Sequence, residues 1–152
     1  MNAKTKDAIA LLTNDHREVK EMFEQYDALG ERATTKKKNL ADEICTALTL
    51  HSMVEEEIFY PAVRAAVKDA ADLMDEAEVE HASAKELIAQ IQEMDPGDDL
   101  YDAKVKVLGE QIEHHVKEEE KEMFPKAKKA GLDLVALAEE MLSRKEELSA
   151  TL

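Results

Sequence analysis

The stretch His51-Ser52-Met53-Val54-Glu55-Glu56-Glu57-Ile58-Phe59-Tyr60-Pro61 returns in the second half of the chain as His115-Val116-Lys117-Glu118-Glu119-Glu120-Lys121-Glu122-Met123-Phe124-Pro125. The spacing from histidine to glutamate to proline is the same in both copies. Each copy follows an earlier histidine at nearly equal distance, His16 before His51 and His81 before His115. Histidine at i and glutamate at i+4 lie on one side of a helix, a turn apart. The echo therefore predicts two helical hairpins related by an approximate two-fold axis, with a shared site on that axis.

Hydrophobic periodicity outward from these copies gives the helices. Ile9, Leu12, Val19, Phe23 and Tyr26 predict a first helix over about 6–29, with Gly30 as its stop. A second begins near Thr35, a candidate N-cap, and carries Leu40, Ile44, Leu48 and Ile58 until Pro61 breaks or kinks it, with a short turn of helix through Val67. Leu73, Ala77, Ala84, Ile88 and Ile91 predict a third over about 69–94, closed by the turn signal Asp95-Pro96-Gly97. Tyr101, Val105, Leu108 and Ile112 predict a fourth that ends near Phe124-Pro125, and beyond Gly131 a shorter amphipathic segment covers about 132–148. Short connections between long amphipathic helices favour antiparallel neighbours. The predicted fold is all-α, an up-down-up-down four-helix bundle with a short extra C-terminal helix, in one domain over 1–152.

The composition agrees with an all-helical chain, because Ala, Glu, Lys, Leu and Met dominate and Trp is absent. A formal charge of −15 repels phosphate backbones and anionic lipid headgroups, so nucleic acid and acidic membrane surfaces are poor partners. No secretory leader or membrane span is evident, which makes the cytoplasm the default location. The single cysteine, Cys45, has no intramolecular disulfide partner and reads as a core or boundary residue. The acidic runs Glu55–Glu57 and Glu118–Glu120 read mostly as solvated helix faces, and Glu56, Glu57, Glu118 and Glu120 are assigned there.

Glu55 and Glu119 read differently. Both fall in core phase, as do His16, His51, His81 and His115, with no Lys or Arg on the same stripes to neutralise them. A buried carboxylate costs about several kcal/mol unless compensated, and a divalent or trivalent cation would compensate both. One histidine alone is more often a satisfied core or surface residue, and one His-x-x-x-Glu is common on exposed helices. Four core-phase histidines, one per helix, with two such pairs in equivalent places carry the metal reading. Imidazole and carboxylate without thiolate disfavour structural zinc, and carboxylates able to bridge two ions favour iron, with manganese second. His114 lies about 100° around the helix from His115 and reads as flanking.

Asp15-His16, His51-x-x-x-Glu55 with Phe59-Tyr60-Pro61, Glu80-His81, and His115-x-x-x-Glu119 with Phe124-Pro125 resemble the hemerythrin family, specifically bacterial hemerythrin-like proteins of the HHE cation-binding type. The resemblance spans about 8–125. It implies a non-haem di-iron centre, with Glu55 and Glu119 as bridging carboxylates and the four histidines as terminal ligands. The oxygen carriers of that family have a fifth histidine one turn after the third-helix histidine. Here that place holds Lys85, which cannot ligate while protonated. If the halves are equivalent, one iron takes His16 and His51, the other His81 and His115, and both keep open positions.

The leading expectation is a di-iron protein that binds or reacts with dioxygen, peroxide or nitric oxide, as binder, sensor or catalase-like enzyme. The alternative is iron handling or sensing, with metal occupancy controlling stability. A ferritin-like Glu-x-x-His pattern fits Glu78 to His81, but Gln111 stands where His114 would need the second glutamate. The C-terminal segment reads as a covering helix before a docking one. Whether Tyr26, Tyr60 or His114 joins the metals is left open by the sequence.

Overall fold

A computed structural model describes residues 7–152, and among them every regular element is helical. In chain order these are α1 (Ala8–Asp27), α2 (Thr34–Val54), α3 (Tyr60–Ala66), α4 (Ala71–Glu93), α5 (Tyr101–Glu118), α6 (Phe124–Lys129) and α7 (Leu134–Ser149). Two π-helical turns, Glu55–Phe59 and Glu119–Met123, run α2 into α3 and α5 into α6. The result is five rods, and no described helix is long and apolar enough to cross a membrane.

The first rod starts where Asp7 caps it, its carboxylate accepting from the Ala10 amide at 2.8 Å, and the expected start at Lys6 lies outside the described residues. It ends at Asp27, so Gly30 sits in the following turn. Thr35 is inside α2 and not its cap, since the helix begins one residue earlier without any side-chain capping bond. The fourth rod passes Phe124-Pro125 and continues to Lys129.

Neither proline breaks its rod. A proline ring cannot sit against the carbonyl four residues back. In both halves a wide turn comes first, with the Tyr60 amide bonding to the Glu55 carbonyl and the Phe124 amide to that of Glu119. Such π turns are frequent at functional sites. Here each starts at a core glutamate of the repeated motif.

Two apolar clusters form the core. One gathers Leu12, Val54, Phe59, Val63, Met74, Met123, Phe124 and Met141. The other gathers Val19, Ile44, Cys45, Leu48, Ala84, Ile88, Tyr101, Val105 and Leu108. Along α1 the chain passes from the first cluster to the second, along α2 it returns, and α4 and α5 repeat the pair of crossings. Each of the four core histidines lies at the crossing of its rod. Rod α7 packs on α1, α2 and the first π turn, closing the first cluster with Met141 and Leu148.

Candidate metal centre

The six residues singled out in the sequence converge between the two clusters. Glu55 and Glu119 are 0% and 1% exposed, and all four histidines are buried. His16 Nε2 lies 3.1 Å from Glu119 Oε1, and His115 Nε2 lies 3.2 Å from Glu119 Oε2, so the two oxygens of one carboxylate face one histidine of each half. Glu55 Oε1 lies 3.1 Å from His51 Nε2 and 3.4 Å from His81 Nε2. The ring centroids of His16 and His51 are 4.9 Å apart, as are those of His81 and His115. Donor atoms of His16, His51, Glu55 and Glu119 fall within 4.8 Å of one another, as do those of Glu55, His81 and His115.

Five atoms of this set lack hydrogen-bond partners: Nε2 of His16 and of His51, both oxygens of Glu55, and Oε1 of Glu119. Buried polar atoms are rarely left so. Converging imidazole nitrogens and carboxylate oxygens are the donors of a transition-metal cation, and a cation would satisfy these atoms together. The residues fit a metal.

The outer nitrogen of each ring is occupied by a carboxylate. His51 Nδ1 bonds to Asp15 at 2.9 Å, His81 to Glu56 at 2.8 Å, His115 to Glu80 at 2.7 Å and His16 to Glu120 at 2.7 Å. An ionised carboxylate only accepts, so each Nδ1 carries the proton and each Nε2 lone pair is left for the interior. Every acid is the sequence neighbour of a core histidine or glutamate on one rod and serves the histidine of another, so the four bonds close a ring around the centre. Glu56 and Glu120 are thus not merely solvated, which corrects the reading of the acidic runs. Glu57 and Glu118 do face outward, pairing with Arg144 and His114.

Tyr60 belongs to the centre. Its hydroxyl donates to Glu119 Oε2 at 2.5 Å and sits 3.1 Å from Nε2 of both His81 and His115. Tyr26 does not, for its hydroxyl donates to Asp102. His114 is 67% exposed at the surface beside Glu80 and Glu118. Lys85 turns away from the histidines and binds Glu56 at 2.6 Å. A narrow cavity of about 30 Å³ reaches the four imidazoles between Val19, Leu48, Ala84 and Ile112. That is room for a molecule of one or two heavy atoms.

The electrostatics show what the centre does without a cation. Burial pushes the His51 imidazole down, but Glu55 and Asp15 outweigh it and hold its pKa well above the ordinary 6.5. For His115, burial is likewise outweighed, by Glu119, Glu55 and Glu80, and the pKa is pushed up to about 9. Burial pushes the Glu119 carboxyl up, but the imidazoles of His115 and His16 beside it outweigh that and hold it well below the carboxylate range. Burial, with Glu55 and Glu119, keeps the Tyr60 phenol protonated. Protons therefore neutralise the buried carboxylates when no metal does. Cys45 plays no part, as burial and Asp42 push its thiol up to about 11.

The sequence reading missed Asp15, Glu56, Glu80 and Glu120 as partners of the histidines, although Asp15 and Glu80 stood in its motifs. The signal was available in the echo: an acid precedes the first histidine of each half, and an acid follows the core glutamate of each half.

Residues 7–127 match the family described as Hemerythrin HHE cation binding domain. Among solved structures, a Hemerythrin HHE cation binding domain-containing protein from Mycobacterium kansasii superposes with a TM-score of 0.81 at 22% identity, over 95% of this chain and 88% of that one. At that identity the likeness speaks to the fold. No curated protein matches.

Proposed function

Because the chain belongs to the hemerythrin HHE cation-binding domain family, we propose that it holds two non-haem iron ions and uses them to bind or react with dioxygen, peroxide or nitric oxide. In this reading His16 and His51 would hold one ion and His81 and His115 the other, Glu55 and Glu119 would be shared between them, and Tyr60 would be a further oxygen donor on the His81 side. The observation that carries it is the set of unpartnered, inward-facing atoms on Glu55, Glu119, His16 and His51. The alternating passage of α1, α2, α4 and α5 between the two clusters supports a single-domain, antiparallel four-helix bundle with α7 as a covering fifth rod.

A bound iron pair supplies redox-active positions open to a small oxygen or nitrogen ligand. The chain's own residues decide what reaches them. The outer carboxylates keep the Nδ1 protons in place and so present neutral imidazoles inward. Val19, Leu48, Ala84 and Ile112 exclude bulk water, and the cavity they leave admits only small molecules. Without metal the Tyr60 hydroxyl keeps its proton, bonded to Glu119, and it would give that proton up on binding iron.

Metal analysis of freshly purified protein should give about two irons per chain by this reading. Anaerobic ferrous protein mixed with dioxygen or peroxide should change its near-ultraviolet and visible absorption. One zinc per chain, or an inert spectrum with no peroxide consumed, would overturn it. The burial of both glutamates between the two core clusters favours one second reading, in which iron occupancy controls stability and reports iron supply. Thermal melts with and without iron, in parallel with the oxygen experiment, separate the two.

A further inference from the structure

Beyond the residues that match the family lies α7, and we infer that its Lys145 is a positioning residue for one half of the metal centre. The inference rests on the metal reading above. Lys145 Nζ lies 3.0 Å from Asp15 Oδ1, while Asp15 Oδ2 accepts from His51 Nδ1 at 2.9 Å. Asp15 is buried, so its charge needs a partner close by. With one oxygen on the histidine and the other on the lysine, its carboxylate plane is fixed at both ends. That plane sets the direction of the Nδ1 bond and hence the aim of His51 Nε2.

The other half has the same device from a different source. Glu56 is held between His81, at 2.8 Å, and Lys85, at 2.6 Å. By the echo, the counterpart of Asp15 is Glu80 and that of Glu56 is Glu120, and neither of those has a lysine among its bonds. Each pair of histidines thus has one lysine-pinned carboxylate, supplied to His81 by its own rod and to His51 by α7. Ala138, Met141 and Leu148 seat α7 on the core, which puts Lys145 in register with Asp15.

The test uses full-length, iron-loaded protein and follows transfer of iron to a coloured ferrous chelator. Lys145→Ala should release one of its ions about ten- to a hundredfold faster than wild type while the other keeps its rate, as loss of a ligand's supporting partner does. Lys145→Arg should restore the wild-type rate. Arg144→Ala removes the neighbouring Arg144–Glu57 pair of the same helix, which leads to no histidine, and should leave both rates unchanged. Wild-type rates in Lys145→Ala, equal acceleration in Arg144→Ala, or no rescue by arginine would each overturn the inference and leave the metal reading standing. A wild-type chain that takes up no iron would overturn the metal reading itself, and this inference with it.

Discussion

The hydroxyl of Tyr60 reaches from one half of the chain to Oε2 of Glu119 in the other, at 2.5 Å. Its counterpart in the echo is Phe124, whose ring stacks parallel to His16 with centroids 6.1 Å apart and offers no oxygen. The two histidine pairs are alike in ring spacing and differ in whether a phenol oxygen reaches them.

A tyrosine that gives up its proton and binds ferric iron as the phenolate would give a visible charge-transfer band. Oxidised, iron-loaded protein should therefore be coloured, and Tyr60→Phe should lose the band while keeping its helicity and its iron content. An identical spectrum in the variant would remove Tyr60 from the ligands. Phe124→Tyr tests the converse, a second phenol on the His16 side.

Glu55 and Glu119 should each be required for metal and for metal-dependent stability. At iron a hundredfold above its dissociation constant, binding stabilises the folded state by about 2.7 kcal/mol. Denaturation with and without iron should show a difference of at least that order in wild type and little in Glu55→Gln or Glu119→Gln. Equal iron-induced stabilisation in the variants would refute their role.

The outer carboxylates should tune affinity without being ligands. Glu80→Gln and Glu120→Gln leave the side-chain shape but add an amide that can present a donor to Nδ1. Iron affinity in competition with a chelator should fall about ten- to a hundredfold. Glu113→Gln, on the exposed pair with Lys117, should change nothing. If all three behave alike, the bonds to the ring nitrogens are incidental.

Metal-free protein should lose stability as the solution becomes alkaline. His115 binds its proton more tightly folded, with a pKa of about 9 against an ordinary 6.5. Its contribution is therefore fully present below pH 6.5 and is lost as pH rises through about 9. Denaturant midpoints of metal-free wild type should fall across that window, and His115→Gln should flatten the fall. Stability that is constant or rising there contradicts the assignment.

Most of the centre was legible because it is written in local periodicity. His51 to Glu55 and His115 to Glu119 are one-turn spacings, and the core phase of all six residues follows from apolar neighbours three and four places away. The π turns were not legible, since they are the backbone's answer to Pro61 and Pro125 and leave the residue pattern unchanged. Glu56 and Glu57 look alike in a charge run, yet one step around the helix separates a histidine's partner from a surface ion pair. Lys145 could not be foreseen at all, because 130 residues separate it from Asp15 and no repeat announces it.

The closed circuit of four acid–imidazole bonds makes the rods mutually dependent. Withdrawing α1 alone strips His51 of Asp15 and frees Glu120 from His16, so one displaced rod loosens the two beside it. Iron retention would then gauge the assembly of all four rods at once, and the excised α1–α2 pair would keep one of the three bonds it takes part in.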